Sequence, residues 1–143
     1  MMENILNSAE KRGNKVVYTV IYLAPSDYHR YHSPAVFTAH YRRHIAGYLE
    51  PVKPSYIKTH KDVLKNNERV NILGEWVSGF FAISFIGALN VGSIKINFDE
   101  DIVTNESSPH YPYFQDKNYS VLNESEGAFI NFPVRRKEIA KIK

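Results

Sequence analysis

The sequence contains no cysteine. Disulfide frameworks, thiolate zinc sites and cysteine nucleophiles are therefore excluded. Charge of one sign is also scarce: eighteen Lys and Arg stand against fifteen Asp and Glu, a formal charge of +3. Such an excess permits a nucleic acid or an anionic membrane surface as partner and demands neither. The opening residues "MMENILNSAEKRGNK" hold no apolar core of a signal peptide, and no repeat or low-complexity block follows. One run invites comparison with a membrane span. Between Glu75 and Lys95 lie nineteen uncharged residues, "WVSGFFAISFIGALNVGSI". Their length suits a transmembrane helix, but they include three Gly, three Ser and an Asn, and the apolar remainder is mostly β-branched or aromatic. The run reads as two buried strands joined near Gly87.

What is present is ordinary globular material. Of 143 residues, 43% are hydrophobic and 23% charged, which fits one domain with a real core. Ten Tyr, eight Phe and one Trp favour strands and pockets over a helical bundle. "KVVYTVIYLAP" (15–25) predicts a strong strand ended by proline. Residues 34–52 lean to strands through the alternation of Val36, Thr38 and His40, and 54–70 reads as a connection with one helical turn. "VNILGEW", "GFFAISFIGA" and "NVGSIKINF" look like three successive strands. Residues 99–123 read as polar loop, and "GAFINF" (127–132) as a last strand. The expected fold is mainly β, a barrel- or sandwich-like domain with one or two short helices. It spans residues 15–132, between a flexible tail over 1–14 and a basic tail over 133–143.

The segment with the most chemistry is "DYHRYHSP" (27–34), at the exit of the first predicted strand. His29 and His32 lie three apart, each preceded by a tyrosine. A metal site is one reading, but Pro25 and Pro34 leave little room for a helix, and His40, His44, His60 and His110 form no zinc pattern. A nucleic-acid surface is another, because "HYRRH" and "YHRYH" interleave basic and aromatic residues, yet no motif of a nucleic-acid-binding fold accompanies them. Structural histidines braced by Asp27 are the bland alternative. Two imidazoles near a carboxylate also suit general acid–base work. Spacing alone leaves these open.

"YLAPSDYHRYHSP" (22–34) closely resembles the histidine segment of phosphatidylserine decarboxylases. The resemblance continues in order through "NNERV" (66–70), "LGEW" (73–76), "GFF" (79–81), "NVGSIKINFD" (90–99) and "EGAFINF" (126–132), covering about residues 15–132. It implies a pyruvoyl-dependent carboxy-lyase that turns phosphatidylserine into phosphatidylethanolamine in phospholipid biosynthesis. Family members make the pyruvoyl group from their own chain, by cutting before the serine of a Gly-Ser motif, and its carbonyl becomes an electron sink for the substrate's carboxylate. By similarity, His29 would serve the substrate, through reprotonation. His32 would be the base that, with an upstream aspartate, activates the serine for self-cleavage. Asp27, Tyr28 and Arg30 would brace the loop. The implied partners are phosphatidylserine, an anionic membrane surface and an α subunit carrying the pyruvoyl group, with no nucleic acid and no metal. The implied location is membrane-associated: the mitochondrial inner membrane or endomembranes in eukaryotes, the inner membrane in bacteria.

Two departures qualify the resemblance. After 127–132 come Pro133 and Val134 instead of Gly-Ser, and no Pro-Val-Asp-Gly-like segment precedes the histidines. Gly92-Ser93 has the look of a cleavage dipeptide but falls in an internal block of the family. The 143 residues alone are accordingly expected to form no pyruvoyl group and to be inactive, most simply as a truncated reading of a longer gene. The alternatives are a catalytically dead lipid- or partner-binding module, and a piece completed by a second chain.

Overall fold

A computed structural model describes residues 11–106, 114–119 and 138–142. Within them the chain is mainly β: β1 (Arg30–His32), β2 (Phe37–Ile45), β3 (Arg69–Trp76), β4 (Gly79–Ile86), β5 (Ile94–Ile96), β6 (Phe114–Asn118) and β7 (Glu138–Ile142). Two one-turn helices, α1 (Pro54–Ile57) and α2 (Val63–Asn66), fill the β2–β3 connection. The strands form two antiparallel sheets, ordered β4-β3-β2-β6 and β1-β7-β5.

The core lies between them. Phe37, Ala39, Val70, Ile72 and Phe85 of the larger sheet meet Ile94 and Ile96 of the smaller one, with Ile102 beside them and Tyr31 packed against the cluster. Alternation explains most of this, because every second residue of β3 and β5 is apolar and faces inward. β2 departs from simple alternation. A bulge between Ala39 and Tyr41 shifts its register against β3, so Phe37 and Ala39 are buried before it, Arg42 and His44 after it.

Glycine matters where β2 and β3 press together. Gly74 is paired with Ala39 at the bulge, and a Cβ there would run into the Thr38 carbonyl oxygen. At the β3–β4 hairpin, Trp76 pairs with Gly79 around Val77 and Ser78, and Gly79 takes φ +105°, where L side chains are strained.

The three strands expected over 70–98 are present as β3, β4 and β5, the last two shorter than expected. β4 is only partly buried, and its link to β5 turns at Leu89–Asn90, with Ala88 and Val91 exchanging two backbone hydrogen bonds. No helix among the described residues is long and apolar enough to cross a membrane. Three expectations differ. Residues 15–25 are not a strand: Val17, Tyr18, Val20 and Ile21 are exposed and the segment joins neither sheet. High β-propensity describes a fit to a half-buried surface, and no such surface meets this segment among the described residues. Within the supposed loop 99–123, residues 114–118 form β6, held on β2 by polar cross-strand contacts. Within the supposed tail, 138–142 form β7 between β1 and β5. The last predicted strand, 127–132, lies outside the described residues, as do residues 1–10 of the N-terminal tail and 133–137 of the C-terminal one.

Gly74→Ala is expected to lower stability by about 1–3 kcal/mol, the range for overpacking a close approach. Denaturant unfolding of the 143-residue chain measures it, and an unchanged midpoint would contradict the tight β2–β3 contact.

Candidate functional site

The histidine segment is built as a braced turn running into β1. Asp27 makes the brace. Its amide donates to the Ala24 carbonyl at 2.8 Å, and its carboxylate accepts the Ala24 amide at 2.7 Å. The carboxylate is therefore spent on backbone, not on an imidazole. His29 instead uses the Asp27 backbone carbonyl, 2.7 Å from Nδ1. A carbonyl can only accept, so Nδ1 carries the proton and the neutral ring leaves Nε2 as its basic nitrogen. No second partner of that ring is found among the described residues.

His32 is arranged differently. Its ring stacks on Tyr28 at 5.7 Å with planes 7° apart, and Nε2 shares a 2.8 Å hydrogen bond with the Tyr28 hydroxyl. Its Nδ1 is buried without a partner among the described residues. Buried polar atoms are nearly always paired, so this nitrogen is an exception in the frame. β1 itself is fixed by Tyr31, which turns the other way and meets Phe85 edge-on at 5.3 Å, and by backbone pairing with β7. The two histidines thus occupy a turn and a strand, and do not share a helix face.

The other histidines serve elsewhere. His40 is exposed, 3.9 Å from Glu75. His60 stacks on Tyr56 at 3.7 Å beside α1. His44 is buried, and its Nε2 donates to Glu68 at 2.8 Å. Glu68 also accepts the Asn105 amide with both oxygens, at 3.1 and 2.9 Å. His110 lies outside the described residues. Ser93 sits half-buried just before β5, and a Cβ on neighbouring Gly92 would strike the Leu49 side chain.

Sequence reasoning missed the strongest polar cluster. Arg42 and Asp99, both nearly inaccessible, pair at 2.9 Å. Tyr119 donates to Asp99 at 2.6 Å, and Lys117 bridges Asp99 at 2.8 Å and Asp101 at 2.6 Å. Burial alone would raise the Asp99 carboxyl, but the hydrogen bonds from Lys117 and Tyr119 and the Arg42 charge outweigh it and hold it below the ordinary 3.8. Asp116, gripped by Arg43 at 2.8 and 2.7 Å, is also lowered, chiefly by that hydrogen bonding. Asn67, fully buried, donates to the carbonyls of Glu50 and Gly87 at 2.8 and 2.9 Å. The blocks "NNERV" and "NVGSIKINFD" supply Asn67, Glu68 and Asp99. They were legible as motifs, but their role here is to satisfy a buried polar frame. The bulge that turns Arg42 and His44 inward had no signal in the sequence.

Comparison with known proteins matches residues 1–132 to the family model described as phosphatidylserine decarboxylase. The mitochondrial phosphatidylserine decarboxylase proenzyme of Rattus norvegicus is 41% identical over 128 residues, covering 90% of this chain and 30% of that protein. Proenzyme 1 of Saccharomyces cerevisiae, also mitochondrial, is 43% identical over 115 residues, 77% of this chain and 23% of that protein. Proenzyme 1 of Candida albicans is 45% identical over 114 residues, 80% and 19% respectively. The chain thus spans under a third of the length of each of these relatives.

Asp99→Ala leaves the buried Arg42 charge uncompensated and is expected to cost about 3–5 kcal/mol, whereas breaking the half-exposed Arg43–Asp116 pair should cost under about 1 kcal/mol. Both carboxyls are lowered in the folded state, so their stabilisation is complete above about pH 4, near the unfolded value, and is lost as pH falls through the folded values below it. Urea midpoints measured against pH should drop below about pH 4. Equal costs for the two variants, or a flat acid limb, would contradict this assignment.

Proposed function

The chain belongs to the phosphatidylserine decarboxylase family, and on that premise we propose that it is the histidine-bearing part of an enzyme converting phosphatidylserine to phosphatidylethanolamine. The observation that carries the proposal is the histidine segment. Each imidazole has one nitrogen committed inside its own loop, His29 Nδ1 to Asp27 and His32 Nε2 to Tyr28, and one nitrogen without a partner among the described residues. That arrangement suits proton transfer better than metal binding, which would need further ligands converging on the same point.

The pyruvoyl group of complete family members, when present, supplies an electron sink for the carboxylate that leaves as carbon dioxide. The residues of this chain fit a place beside it: with the Tyr28 hydroxyl donating to Nε2, the buried His32 Nδ1 carries the ring proton and would be held by an acceptor such as a carboxylate. Once the Tyr28 hydroxyl yields its place, Nε2 would take the proton of an attacking serine during self-cleavage. His29 would act later. Protonated on both nitrogens, it keeps Nδ1–H on the Asp27 carbonyl and delivers the Nε2 proton to the substrate's α-carbon. Asp27 and Tyr28 position the rings and do not react.

Its partners in this reading are the α-subunit segment that carries the pyruvoyl group, phosphatidylserine, and the membrane that holds it. The mitochondrial relatives favour the same compartment for this chain. By itself the 143-residue chain, with Pro133 where the family places its Gly-Ser cut, should release no carbon dioxide.

A chimera tests the proposal: residues 11–132 replacing the matching segment of the Rattus norvegicus proenzyme, expressed and assayed with carboxyl-labelled phosphatidylserine. The parent chimera should be cut into two subunits and release labelled carbon dioxide. His32→Ala should stay uncut on a denaturing gel. His29→Ala should be cut but lose on the order of 100-fold or more in decarboxylation, the usual worth of a positioned proton donor. A His32→Ala chimera that processes normally, or a His29→Ala chimera of full activity, would overturn these roles.

A further inference from the structure

The end of the larger sheet nearest the histidine segment carries an apolar projection that the reaction does not use. β2 begins five residues after His32, and its first residue, Phe37, has Trp76 as its Cα partner. Beyond Trp76 the β3–β4 hairpin turns through Val77 and Ser78. Val77 is 96% exposed, Val36 55%, Phe80 41% and Trp76 38%. Val36, Trp76 and Val77 line one shallow groove that Glu75 also borders, and Phe80 is the cross-strand partner of Glu75. No residue from 76 to 94 carries a charge.

The projection is braced. Trp76 leans on Phe81 at 5.5 Å, and Phe81 meets Phe37 at 5.0 Å, which belongs to the core cluster. An aromatic column therefore runs from the core to the tip. We propose that the Trp76–Gly79 hairpin tip, with Val36 beside it, inserts into the interfacial zone of a phospholipid bilayer and brings the histidine segment to the membrane surface. The proposal rests on the reading that the substrate is a membrane lipid.

Three features favour a bilayer over a protein partner. The four side chains expose on the order of 400 Å² in all, about half of what one partner gives to a stable protein–protein contact. They cluster at a two-residue hairpin turn whose Val77 projects into solvent, where a second copy could bury little but which a fluid interface surrounds. Their chemistry is that of the interface itself, a tryptophan and a phenylalanine flanked by β-branched aliphatics. The inserting side chains carry no charge, so the binding is apolar and resists salt.

Trp76 is the one tryptophan of the chain, so intrinsic fluorescence reads the tip alone. The 143-residue chain is titrated with vesicles of phosphatidylcholine and phosphatidylglycerol, containing no phosphatidylserine, at low and high salt. Emission should shift to shorter wavelength, be quenched by lipids brominated near the headgroup end of their acyl chains, and persist at high salt. Val77→Asp, at a fully solvated position, should keep its far-ultraviolet circular dichroism and lose about tenfold in partitioning. Unchanged emission with vesicles overturns the proposal, as does binding abolished by salt without a shift. A shift that depends on protein concentration and not on lipid assigns the tip to a second copy instead, and also overturns it. Because the vesicles hold no substrate, failure here leaves the histidine assignments to be judged by the chimera.

Discussion

The buried pair of Arg42 and Asp99 is the constraint on which the arrangement turns. Arg42 lies in the middle of β2, in the larger sheet, while Asp99 follows β5 of the smaller one. Their 2.9 Å contact ties the two sheets across the core. Lys117 and Tyr119, on and just beyond β6, close on the same carboxylate and give an otherwise polar edge strand its reason to pair. A guanidinium removed from water costs several kcal/mol unless its partners are in place, so this cluster admits one register of β2 and no near alternative. β1, which ends in His32, belongs to the sheet that Asp99 anchors and is set against the other by Tyr31 on Phe85.

The same side chain does opposite work at two places. His44 is enclosed, its Nε2 spent on Glu68, and Glu68 in turn holds the Asn105 backbone. That ring is frame. His29 and His32 have one nitrogen each bonded to a neighbour within four residues, which sets ring orientation at small entropic cost. Tyr28 and Asp27, which a reader would pair with the histidines as catalytic partners, orient them instead.

Much of the middle of the fold could be read from residue pattern, because β3, β4 and β5 are apolar runs broken by glycine. The misreadings have physical causes. Residues 15–25 have strand composition but join no sheet among the described residues. Residues 114–118 look like loop because their partners are charged: Asp116 meets Arg43 across the ladder, and Gln115 meets Arg42. The inward turn of Arg42 and His44 follows from a bulge that no residue announces. The histidines themselves were visible, but spacing alone left metal, nucleic-acid, structural and acid–base readings open. The family resemblance favours proton transfer, and it rests in part on residues such as Asn67 and Asp99 that hold the frame.

The turn before β1 fixes His29 with Nε2 as its basic nitrogen. Nitrogen-15 NMR of the histidine side chains reads this directly, at a pH where the ring is neutral. His29 should be the Nδ1–H tautomer, with its proton held on the Asp27 carbonyl and Nε2 unprotonated. A neutral His29 carrying its proton on Nε2, or averaging between both tautomers, would contradict it.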